Sequence, residues 1–89
     1  MKIVKLDNRY FAFKRGFTHA LKFKSWTLES ARTEELLSET YKTSCYNKNG
    51  PYYGAFARPR DVKEPKPYWI YLRNESDISL ILLKGVANG

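Results

Sequence analysis

The chain has little of what most small-protein chemistry requires. Its single cysteine, Cys45, can form no internal disulfide and no cysteine-based zinc site, and a lone thiol points to a reducing compartment. Its single histidine, His19, shares a strand face with Leu21 and Phe23 and reads as a packed residue, not a general base. No phosphate-cradling G-x-x-x-x-G-K-[ST], no G-x-G-x-x-G and no H-E-x-x-H occurs. The longest candidate for a membrane span, Ile78 to Leu83, is far too short. The opening M-K-I-V-K-L-D lacks the uninterrupted apolar stretch of a signal peptide. These absences predict a cytoplasmic protein without membrane contact, cofactor, metal or catalytic activity.

Aromatic residues, by contrast, are abundant: seven Tyr, five Phe and two Trp among 89 residues. Each large apolar side chain contributes ~1.5–3 kcal/mol when fully buried, enough together to order one small domain without covalent staples. Positive charge is also in excess, at a net +7. It is unevenly placed. Residues 1–24 carry seven basic and one acidic side chain, residues 25–44 two and four, and residues 45–67 five and two. That division favours an anionic partner on one face.

Pattern assigns the elements. Lys2 to Leu6, Tyr10 to Lys14 and Thr18 to Lys24 read as a three-stranded meander, with a turn at Asp7-Asn8-Arg9 and a break at Gly16. This places Phe11 and Phe13 on a buried face, with Leu21 and Phe23. The period changes at Ser25-Trp26-Thr27, where Ser25 or Thr27 can cap a helix from Leu28 to Tyr41. Leu28, Ala31, Leu37 and Tyr41 form its apolar face. Glu29, Arg32, Glu35 and Glu39 face away.

After the turn signal Asn49-Gly50-Pro51, Tyr52 to Arg58 is extended, and its small residues Gly54, Ala55 and Ala57 imply a close neighbour. Tyr68 to Leu72 reads as a buried strand paired with it. Between them lies P-R-D-V-K-E-P-K-P, a stiff loop with a basic tip. For residues 75–84 a buried strand competes with a helix capped by Asn74, and the capping chemistry tips the balance to helix. The expectation is one α+β domain over residues 1–89. Its antiparallel sheet has about five strands, with one main helix and a short C-terminal helix or strand.

The most specific functional feature is the interleaving of aromatic and basic residues in R-Y-F-A-F-K-R-G-F and L-K-F-K-S-W. Cations neutralise phosphates while exposed rings stack on bases, the combination that binds single-stranded DNA or RNA. The expected phosphate contacts are Lys5, Lys14, Arg15, Lys22 and Lys24, extended by Arg58, Arg60, Lys63 and Lys66 of the loop. Tyr10 and Trp26 are the stacking candidates. Arg15-Gly16-Phe17-Thr18 echoes the core of an RNA-recognition motif, but that fold needs a different element order. The alternative is a protein-binding modulator that grips a host enzyme through the 58–67 loop or the acidic helix. An exposed strand at 52–58 could also pair two copies. Short, basic, aromatic-rich and nearly cysteine-free, the chain resembles the small proteins that bacteriophages encode. The resemblance implies a binder of nucleic acid or of a host protein.

Overall fold

Period-two patterning in His19–Phe23 and Tyr68–Leu72 places these two strands side by side at the centre of an antiparallel sheet. The structure, a computed structural model, describes residues 2–44, 46, 49–56 and 67–84. In chain order its elements are β1 (Lys2–Lys5), α1 (Phe11–Lys14), β2 (His19–Phe23), α2 (Leu28–Tyr41), β3 (Tyr52–Phe56), β4 (Tyr68–Leu72) and α3 (Ser76–Leu83). The sheet order is β1-β2-β4-β3, with every neighbouring pair antiparallel. The α+β class is as expected, but among the described residues the sheet has four strands, not about five.

The missing strand is Tyr10 to Lys14, of which Phe11–Lys14 is helical. Asp7 decides this. Its carboxylate accepts from the Arg9 backbone N–H at 2.9 Å and its carbonyl from the Tyr10 N–H at 3.0 Å. The turn so closed leads into α1 instead of a hairpin. At the other end, Gly16 donates to the Phe13 carbonyl at 3.0 Å and Phe17 to Ala12 at 3.1 Å, with Gly16 at φ +96. That bond pair is the Schellman stop of a helical turn. The expected burial of Phe11 and Phe13 fails with the strand: they are 74% and 41% exposed.

One sheet face packs under α2 and α3, uniting Leu21, Phe23, Ile70 and Leu72 with Leu37, Ile78 and Ile81. Thr27 caps α2 in a reciprocal pair with Ser30: the Thr27 N–H donates to Ser30 Oγ at 2.8 Å. The helix has the expected ends, and Leu37 and Tyr41 of its expected apolar face meet the core. Ser30 and Thr33 are buried with Leu37, whereas Leu28 is exposed. Both hydroxyls donate to carbonyls of their own helix, to Thr27 and Glu29, each at 2.8 Å, which makes their burial inexpensive.

Gly54 has the close neighbour its size implied. A Cβ there would collide with the Tyr68 hydroxyl, which donates to the Glu34 carboxylate across the gap. Residues 76–83 are helix, as the balance of signals indicated. The cap is not the Asn74 side chain, however: Glu75 occupies the position without a side-chain hydrogen bond. Asp77, in the first turn of α3, is buried and accepts from the Tyr41 hydroxyl at 2.6 and 2.7 Å. Among the described residues, no helix is long and apolar enough to cross a membrane.

Candidate nucleic-acid interface

The second sheet face carries the aromatic and basic residues. Strand register sets them in two rows. One runs Lys2, Lys22, Trp69, Ala55 and the other Val4, Ala20, Tyr71, Tyr53, each crossing β1, β2, β4 and β3. Only small Ala20 is fully buried among them, beneath the cluster that Phe17, Leu6 and Ala12 complete. The rings remain half-buried. Tyr53 and Tyr71 stack with centroids 6.1 Å apart and planes 15° apart; Trp69 lies 6.0 Å from Tyr71 and Tyr10 6.1 Å from Trp69.

Tyr10 on Trp69, with Ala12 buried in the same cluster, seats α1 over this face and turns Phe11 and Phe13 to solvent. Arg15 holds its guanidinium 5.5 Å from the Phe11 ring centroid, and Lys14 is exposed beside it. The turn thus presents a second unit of ring and cation.

At the other end of the face, Lys2, Lys22, Lys24 and Pro67 line a cavity of about 450 Å³. Lys22 Nζ stands 5.5 Å from the Trp69 ring centroid. Three lysines lining one cavity, one of them against an indole, favour an anion there. The indole N–H of Trp69 is buried and has no acceptor among the described residues. Burial, reinforced by the neighbouring Tyr53 and Tyr10, pushes the Tyr71 phenol above its ordinary value, so the face gains no negative charge from it at neutral pH.

Of the residues singled out from sequence, Lys22 and Lys24 stand together, and Tyr10, Lys14 and Arg15 belong to the segment covering the same face. Lys5 does not join them. It pairs with His19 in the register and falls on the opposite face. Trp26 is also elsewhere, 47% exposed and edge-on to Tyr68 on the helix side. Arg58, Arg60, Lys63 and Lys66, with the rest of their loop and Cys45, lie outside the described residues. His19 is packed as expected. The Thr18 hydroxyl donates to the Arg73 carbonyl at 3.2 Å and so accepts from His19 Nδ1 at 2.9 Å.

Sequence reasoning missed Lys2, Phe11, Trp69 and Tyr71. Alternation within β4 held a usable signal: Tyr68, Ile70 and Leu72 fall on one face, Trp69 and Tyr71 on the other. Comparison with protein-family models, curated proteins and solved structures finds no match.

Proposed function

We propose that the protein is a non-catalytic binder of single-stranded nucleic acid, RNA or DNA, and that the strand lies across the Trp69–Tyr71 face of the sheet. One observation carries this reading: Lys2, Lys22 and Lys24 line one cavity and Lys22 reaches within 5.5 Å of the Trp69 ring centroid, on the face that α2 and α3 leave uncovered. The lysines hold phosphates, and Trp69 and Tyr10 offer ring surface for bases. Lys14, Arg15 and Phe11 continue the track over α1.

The test is a titration of the whole chain with a labelled single-stranded oligonucleotide at two salt concentrations. Affinity should fall with salt at a logarithmic slope of about −0.7 for each phosphate neutralised. The triple variant Lys2→Ala, Lys22→Ala, Lys24→Ala should flatten that slope. No binding at low salt removes the proposal. The competing reading, a modulator that grips a host protein through the acidic helix, draws on Glu35 and Glu39, which are exposed on α2. It predicts capture of a protein and no salt-dependent oligonucleotide affinity.

A further inference from the structure

A second concave site lies at the β3 edge, on the helix-covered side of the sheet. It is a cavity of about 400 Å³ lined chiefly by Trp26, Glu34, Tyr46, Gly54, Phe56 and Tyr68. That volume is within the ~300–1,000 Å³ of small-ligand sites. Its rings stand at steep angles. Trp26 meets Tyr68 at 4.8 Å and 80°, and Phe56 meets Tyr68 at 4.9 Å and 70°. Tyr68 is buried beneath these edge contacts, whereas Trp26 and Phe56, 47% and 52% exposed, keep ring surface open beside the cavity.

Among the described residues that line this cavity, the one charged side chain is Glu34. Glu34 lies in the wall and accepts the Tyr68 hydroxyl proton through Oε1, leaving Oε2 without a partner among the described residues. Glu34 and Trp26 also line an adjoining cavity of about 420 Å³, to which Glu35 contributes. None of the described lining residues of either cavity is cationic. An anion is disfavoured here, and a metal ion finds aromatic carbon where it needs several ligating atoms.

We infer that this pocket binds an organic cation, a methylated ammonium group, between the exposed rings of Trp26 and Phe56, with Glu34 as the counter-charge. The attraction is that of a positive charge for ring faces, enhanced where the group is drawn out of water. Gly54 makes the site possible, because any side chain there would meet Tyr68 and Glu34 and fill the floor. The site is independent of the lysine-lined face and stands whether or not that face binds nucleic acid.

The deciding experiment titrates the full chain with choline and, in parallel, with 3,3-dimethylbutan-1-ol, the neutral molecule of nearly the same shape. Binding is read by chemical-shift changes at the Trp26 indole. Choline should saturate and bind at least roughly tenfold more tightly than the alcohol. Trp26→Ala should abolish saturation. Glu34→Gln, which keeps an acceptor for Tyr68, should weaken choline by about three- to tenfold while leaving the alcohol unchanged. Equal binding of choline and the alcohol, or failure of choline to saturate the unmodified chain, overturns the inference without recourse to any variant. A peptide bearing trimethyl-lysine gives the source. At least roughly tenfold tighter binding than choline, lost in the unmethylated peptide, places the cation on a protein tail, and parity with choline places it on a free small molecule. Both results uphold the cation site.

Discussion

A Cβ placed on Gly16 would stand 2.5 Å from Nη1 of Arg73. Arg73 reaches this point as a clasp. Its Nε donates to the Gly50 carbonyl at 2.7 Å, Nη1 donates to the Arg15 carbonyl, and the guanidinium lies 4.1 Å from the Phe17 ring centroid. One side chain thereby joins the end of α1 to the entry of β3. Gly16 also has a φ of +96, which side chains other than glycine rarely adopt. Gly16→Ala should therefore destabilise the protein by about 1–3 kcal/mol, seen as a lower urea midpoint with an unchanged slope. Arg73→Ala should cost a similar amount through its lost charged hydrogen bonds, ~1.5–3 kcal/mol. The double variant should lose less than the two costs combined, because the clash disappears with the guanidinium. Strict additivity would show that Arg73 does not press on Gly16.

The same region shows what was legible in the chain. The ends of α2 and the extent of β4 could be read because capping residues and a five-residue aromatic run are local signals. Phe11-Ala12-Phe13 is too short for periodicity to separate strand from helix. Asp7 and Gly16, which flank it, decided the outcome through backbone hydrogen bonds. Part of the buried face of α2 was hidden for a different reason. Ser30 and Thr33 are satisfied by their own helix, so polar residues sit where an apolar stripe was sought. The Lys22–Trp69 neighbourhood depends on β2 pairing with β4 across the intervening α2 and β3. No local pattern specifies such a pairing.

Tyr41 and Asp77 supply a pH-dependent contribution. Burial, and then the hydrogen bond to Asp77, push the Tyr41 phenol above its ordinary value. A group with a raised folded pKa stabilises the fold while it keeps its proton. That contribution is complete below the unfolded value of ~10 and is lost as pH rises through the higher folded value. Tyr41→Phe should cost about 1–3 kcal/mol at neutral pH, since it strips a buried carboxylate of its donor. The gap between wild type and variant should then narrow above pH ~10. Urea unfolding of both proteins across that range is the check, and a gap that stays constant refutes the coupling.

Lys42 ends α2 at φ 53, in the left-handed region, while its N–H donates to the Ser38 carbonyl at 2.7 Å. Glycine reaches that conformation without steric cost and is the usual residue where a helix ends this way. Lys42→Gly should stabilise the protein by about 0.5–1 kcal/mol, the residual of relieved strain over added unfolded-state freedom. A thermal melt suffices. A lower midpoint would mean that the Lys42 side chain contributes more to the fold than its backbone costs.

If the proposed face binds a strand, its rings and its cations should fail in different ways. Lys22 acts on phosphate charge, so Lys22→Ala should weaken oligonucleotide binding and make the logarithmic salt slope shallower by about 0.7. Trp69 acts through its ring surface, which is indifferent to salt. Trp69→Leu keeps apolar volume under Tyr10 and Tyr71 but removes the stacking plane. It should cost ~1–3 kcal/mol of binding at every salt concentration and leave the slope as it was. Trp26 lies on the helix side of the sheet, edge-on to Tyr68. Trp26→Ala should therefore leave both affinity and slope unchanged, although its loss removes a comparable ring from the chain. If Trp26→Ala weakened oligonucleotide binding as much as Trp69→Leu, the strand would run over the helical side. The lysines on the Trp69 face would then need another role.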